Sequence, residues 1–236
     1  MNRYLASLVV LCFLSGCGSE TAPVTPQTAP AITGTSSSQP LPENAPERTI
    51  EEGFELLGLD AFDRFSAKDP GQTLVWEAVG NGFDCKGKPR GYLYSKQPYG
   101  NVTLMLDYRF RRPDGLKDDA EFKGNTGVML FISGEHKQWP VSLEVQGKYS
   151  EMASIKANGG AANVEIEDDA TARTAARKPV GEWNSLEVVT KDGAVTASIN
   201  GTQVCQSQAG ELKAGRLGFQ AEDFEVHFRN VRVRRD

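Results

Sequence analysis

Four polar side chains near the middle of the chain are spaced to act in pairs. Asp107 and Arg109 stand two residues apart, as do Glu144 and Gln146. In an extended strand that spacing puts both members of a pair on one face, about 7 Å apart. Carboxylates, an amide and a guanidinium on one surface can hold a hydroxyl-rich molecule, and a nearby aromatic ring would let a sugar stack. An ordinary solvated sheet face with surface ion pairs shows the same pattern, and spacing alone leaves both readings open. The two histidines, His136 and His227, stand alone with no metal-type Cys/His spacing. His136 falls in a polar turn, and His227 alternates with Val226 and Phe228, so it faces outward with a structural role.

These residues need strands to position them, and the chain supplies short runs of period two. Val102, Leu104, Leu106, Tyr108 and Phe110 point one way; Thr103, Met105, Asp107 and Arg109 point the other. Val128, Leu130 and Ile132 form a second apolar row, and Leu143 and Val145 alternate with Ser142, Glu144 and Gln146. Leu186, Val188 and Thr190 form a further row. Lys191-Asp192-Gly193 turns into Val195, Ala197 and Ile199, and Asn200-Gly201 is a strong hairpin signal before Val204. Leu217 and Phe219, then Val226 and Phe228, then Val231 and Val233 close the chain. Many short strands with regular turns predict an all-β, two-sheet antiparallel β-sandwich. Only Leu56-Leu57 and the segment from Asp168 to Arg177 offer short helices, and the latter reads equally as a loop.

The first fifty residues predict export. Met1-Asn2-Arg3 precedes an apolar run from Leu5 to Leu14 that is too short to span a bilayer. Small residues and Cys17 follow, the layout of a secretory signal over 1–16. Leu14-Ser15-Gly16-Cys17 resembles a bacterial lipobox, which implies lipidation of Cys17, a membrane anchor and a place in the cell envelope. Gly18 in place of Asp weakly favours the outer membrane. Residues 17–48 are rich in Ser, Thr and Pro and read as a disordered tether, leaving 49–236 for one domain. The net charge of −5, with no basic stripe, excludes nucleic acid as a partner. Of four cysteines, Cys12 leaves with the signal, and Cys85 and Cys205 are free to pair with each other. That bond would close a loop of about 120 residues, if the two Cα atoms lie within reach.

The order of segments resembles the 3-keto-disaccharide hydrolase family, whose members are also described as 3-keto-glucoside 1,2-lyases and hydratases. Carrying the resemblance are Gly91-Tyr92-Leu93-Tyr94, Asp107-Tyr108-Arg109-Phe110, Asn125-Thr126-Gly127-Val128, Trp139-Pro140, Leu143-Glu144-Val145-Gln146, Gly181-Glu182-Trp183-Asn184, Leu217-Gly218-Phe219-Gln220 and the closing Phe228-Arg229-Asn230-Val231. It covers roughly Phe54 to Arg234 and implies a concanavalin A-like jelly roll acting on a glycoside or oligosaccharide. A ketone at C3 acidifies the C2 proton; a base removes it, and the C1 substituent leaves. Such a site needs a base at C2 and a cation or donor at the enolate oxygen. The resemblance implies Glu144 as base or metal ligand and Arg109 as enolate stabiliser. Gln146 would bind the sugar or complete the sphere of a divalent metal ion, for which carboxylate and amide oxygens suit. Asn125, Asp107 and Gln220 would contact substrate, with Trp139 as a stacking platform. Many members carry a His in the turn after this Gln; here the turn reads Gln220-Ala221-Glu222-Asp223, and Glu222 either replaces it or is a loop acid. A non-catalytic carbohydrate-binding jelly roll is the alternative.

Overall fold

The computed structural model describes residues 50–69 and 75–236. The signal, Cys17 and tether expected over residues 1–48 lie outside them. Among the described residues no helix is long and apolar enough to cross a membrane.

Among the described residues, fifteen strands follow in chain order. They are β1 (Glu55–Leu56), β2 (Phe62–Phe65), β3 (Trp76–Val79), β4 (Gly82–Cys85), β5 (Gly91–Tyr99), β6 (Val102–Phe110), β7 (Gly127–Ser133) and β8 (Val141–Gln146). Then come β9 (Ile155–Asn158), β10 (Ile166–Asp168), one helix α1 (Ala170–Ala176), β11 (Asn184–Lys191), β12 (Ala194–Ile199), β13 (Thr202–Ser207), β14 (Gly215–Ala221) and β15 (Val226–Arg235). Nine strands make one antiparallel sheet in the order β10-β13-β12-β11-β6-β15-β4-β3, with β1 on β15; six make the other, β2-β5-β14-β7-β8-β9. This is the open two-sheet sandwich that the alternation predicts.

The main core lies between the sheets. Leu104, Leu106, Tyr108 and Phe110 enter it from the large sheet, and Val128, Leu143, Val145 and Phe219 from the small one. Each such aliphatic or aromatic side chain contributes about 1.5–3 kcal/mol by leaving water. Phe83, Phe219 and Phe228 meet at ring centroids 5.3–5.4 Å apart. The two turn signals behave as their residues require. Asp192-Gly193 and Asn200-Gly201 all have positive φ, and each forms a two-residue loop between paired strands.

Several expectations need correction. Leu56-Leu57 is not helical: Glu55 and Leu56 pair with Val233 and Arg232, and the Leu57 N–H donates to Val231 O. Of the two readings open for the segment before Arg177, the helix is the one formed, as α1, capped by the Asp169 carboxylate on the Ala172 N–H. Ile132 does not share a face with Val128 and Leu130. Phe131 takes φ +58°, the pairing shifts there, and the alternation inverts. Phe131 therefore joins the main core, while Ile132 joins a second cluster on the outer face of the small sheet with Tyr92 and Met129. Cys85 and Cys205 are free thiols. They lie on β4 and β13, five strand steps apart in one sheet, roughly 24 Å at ordinary strand spacing. No disulfide can span that separation.

Candidate functional site

The outer face of the small sheet carries the predicted polar row. Leu143 and Val145 point into the core, so Glu144 and Gln146 point out. Cross-strand register sets their neighbours: Glu144 lies opposite Met129 on β7 and Lys156 on β9, and Gln146 opposite Gly127. Gln220 on β14 lies opposite Tyr92 on β5, with Phe219 in the core, so it shares this outer face. Glu144, Gln146 and Gln220 are nonetheless only 1–3% exposed.

Gly127 is the keystone of this packing. A Cβ there would sit 2.4 Å from Gln220 Oε1 and 2.7 Å from Glu144 Oε1. Only a glycine lets both side chains converge over β7. The Glu144 carboxylate accepts from Asn158 Nδ2 at 3.1 Å and lies 3.6 Å from Lys156 Nζ. Burial pushes the Glu144 carboxyl above its ordinary range, and the Lys156 ammonium works against that rise. Removing a carboxylate from water is costly without such partners.

Glu222, just beyond β14, faces the same region. Its carboxylate accepts from Asn125 Nδ2 at 2.6 Å. Burial, then the charge of Glu144, push its pKa up to about 7. The cavity beside it has a volume of 320 Å³, lined among others by Arg90, Asn125, Gln146, Lys148, Lys156 and Glu222. Glu144 lies behind this lining. The geometry therefore makes Glu222 the carboxyl that a bound molecule meets, with a pKa suited to moving a proton near neutrality. Two acceptors, Asn125 Oδ1 and Gln220 Oε1, are buried without a hydrogen-bond partner. Buried acceptors without a protein partner take a donor from ordered water or a bound molecule, and of the two residues only Asn125 is on the cavity wall.

Five of the predicted residues, Glu144, Gln146, Asn125, Gln220 and Glu222, thus gather in one region. Arg109 and Asp107 do not join them. Both sit on β6, in the other sheet, on its outer face. The Arg109 guanidinium lies 4.7 Å from the Trp183 ring, whose indole Arg229 also approaches at 4.0 Å. Asp107 is buried and accepts from Asn230 Nδ2 at 2.7 Å and Arg229 Nε at 3.3 Å. Period two shows which residues share a face but not which strands share a sheet. Trp139 enters β8 from the end opposite Gln146 and does not line the cavity.

A metal held by Glu144 and Gln146 does not fit these side chains. The Gln146 amide oxygen accepts from the Lys148 N–H at 2.8 Å, and the Lys156 ammonium stands at Glu144. Among the described residues, no group of three His, Cys, Asp or Glu is placed to hold a metal ion. Gly127, Lys156 and Asn158 were not singled out from sequence for roles of their own. Lys156 and Asn158 alternate on β9, but the strand is four residues long and its pattern is too brief to read.

Similar proteins agree with this architecture. Two crystal structures of proteins from Parabacteroides distasonis ATCC 8503, each described as a candidate glycosyl hydrolase, share the fold. One has TM-score 0.56 and 18% identity over 78% of this chain and 94% of its own. The other has TM-score 0.54 and 17% identity over 78% of this chain and 99% of its own. No curated protein matches the chain. The sequence pattern of the 3-keto-alpha-glucoside-1,2-lyase-like domain matches residues 56–234. The chain therefore belongs to the 3-keto-alpha-glucoside-1,2-lyase-like family and is a carbohydrate-active protein.

Proposed function

We propose that this protein cleaves 3-keto-glucosides by elimination, with Glu222 as the base. The observation that carries the reading is a half-buried carboxyl, pushed up to about 7 by burial and the Glu144 charge, on the wall of a cavity that also holds ammonium and guanidinium groups. Glu222 takes the C2 proton, acidified by the C3 ketone. The C1=C2 bond forms as the C1–O bond breaks, and the departing oxygen takes up a proton. Lys156, Lys148 and Arg90 line the cavity and supply positive charge for the developing enolate oxygen. Asn125, on the cavity wall, offers its unpartnered amide oxygen to a hydroxyl donor of the ring. Glu144 stays behind the lining, where its charge adds to the effect of burial in raising the Glu222 pKa.

The test is turnover of a 3-keto-glucoside bearing a chromophore at C1. Wild type should release the chromophore, and Glu222→Gln should lower kcat by about 10²–10⁴. Activity should persist in EDTA. Retained turnover in Glu222→Gln would contradict the assignment; saturable glycan binding without turnover in wild type would favour a carbohydrate-binding module.

We further propose an envelope-anchored lipoprotein, tethered through Cys17, on the lipobox resemblance of Leu14-Ser15-Gly16-Cys17. The outer membrane is the favoured site. Palmitate labelling in a bacterial host should mark wild type and not Cys17→Ser, and an unlabelled wild type would refute the anchor.

A further inference from the structure

A second, aromatic patch lies on the same sheet face, beside the cavity. Tyr92 stands opposite Gln220 in register, about 5 Å away by strand spacing, and Tyr94 lies about 7 Å further along β5. Phe65 on β2 pairs with Tyr92, and Asp63 with Tyr94. The 134–140 connection after β7 folds back over this patch and sets His136 on it. His136 Nδ1 and Tyr92 Oη are 2.8 Å apart. The imidazole lies 4.1 Å from the Tyr94 ring and 5.7 Å from the Phe65 ring by centroid. Tyr92, Met129 and Ile132 are buried beneath. Phe65 and Tyr94 are half-buried and His136 is exposed, so aromatic surface remains open to a ligand.

Polar groups edge this surface. The Arg216 guanidinium lies 5.6 Å from the Tyr94 ring, and Asp63 is exposed next to it. Gln138, two residues from His136, has a buried Nε2 with no hydrogen-bond partner. An aromatic floor with charged and amide groups around it matches a ring that is apolar on its faces and hydroxylated at its edge.

We propose that Phe65, Tyr94 and His136 form a subsite for the second ring of a two-ring substrate, the group that leaves from C1. This rests on the elimination reading above. It makes the preferred substrate a disaccharide or aryl glucoside rather than a simple alkyl glucoside.

The chain's two histidines make the test direct. Imidazole C–H resonances of the full chain are followed while an unoxidised glucose disaccharide, phenyl glucoside or methyl glucoside is added. The disaccharide and phenyl glucoside should shift His136 and leave His227 unmoved, and methyl glucoside should shift neither. His136→Ala and Tyr94→Ala should each weaken disaccharide binding roughly tenfold, the weight of a ring contact or two, without changing the affinity for methyl glucoside. An unmoved His136, equal shifts with methyl glucoside, or no binding of any of the three overturns the subsite. A shifted His136 in a protein that does not turn over 3-keto-glucosides leaves the subsite standing and removes the catalytic reading.

Discussion

Replacing Glu222 with glutamine should stabilise the protein in mild alkali and leave its stability unchanged in acid. The Glu222 carboxyl is raised from 4.5 to about 7 by burial and by Glu144. A carboxyl with a raised folded-state pKa holds its proton more tightly in the folded chain than in the unfolded one. Its stabilising contribution is complete below about pH 4.5 and is lost as pH rises through about 7. At about 1.4 kcal/mol per unit the full gap is roughly 3 kcal/mol. Glu222 is only partly buried, and solvent screening brings the expected value to about 1–2 kcal/mol. Glutamine keeps an acceptor for Asn125 Nδ2, cannot ionise, and so escapes the loss. Urea unfolding at about pH 4 and about pH 8.5 reads the difference. The variant should match wild type in acid and exceed it by about 1–2 kcal/mol in alkali. A stability difference that does not change with pH would refute the reasoning from a raised Glu222 pKa, whatever its sign.

Other perturbations probe the remaining parts. Gly127→Ala places a methyl group against Gln220 and Glu144; it should cost about 1–3 kcal/mol in urea unfolding and lower turnover at least tenfold. Arg109→Gln removes the guanidinium from the Trp183 ring on the opposite sheet; it should cost about 1 kcal/mol and leave kcat/KM within about twofold of wild type. Because Cys85 and Cys205 are unpaired, dithiothreitol should not change Tm, and both thiols should react with Ellman's reagent once the chain is unfolded. A Tm lowered by reductant would contradict the strand order. Phe83→Ala, at the meeting point of four aromatic rings, should cost about 3–5 kcal/mol by thermal unfolding.

The sequence made some of this legible and hid the rest for physical reasons. Alternation along β8 correctly turned Glu144 and Gln146 away from Leu143 and Val145, because period two is a local property of extended backbone. Asn-Gly and Asp-Gly located two hairpins because positive φ is a local demand. Sheet membership is not local. Nothing in the run from Val102 to Phe110 says that β6 pairs with β11 and β15 while β8 pairs with β7 and β9. Arg109 was therefore placed with Glu144 although the two occupy opposite sheets. The same blindness leaves a Cys85–Cys205 bond open in the sequence, which the strand order rules out. Phe131 inverted the apolar row of β7 through a left-handed residue that no turn signal marks. The role of Glu222 depended on its surroundings: burial and the charge of Glu144, both set by other strands and loops, raise its pKa, and only the folded chain brings them together.

The most direct test is a crystal structure of Glu222→Gln with an intact 3-keto-glucoside. The ring should lie in the small-sheet cavity, its C2 hydrogen facing residue 222 and a hydroxyl within hydrogen-bonding reach of Asn125 Oδ1. Density for the sugar on the outer face of the large sheet, near Arg109 and Trp183, would contradict the account.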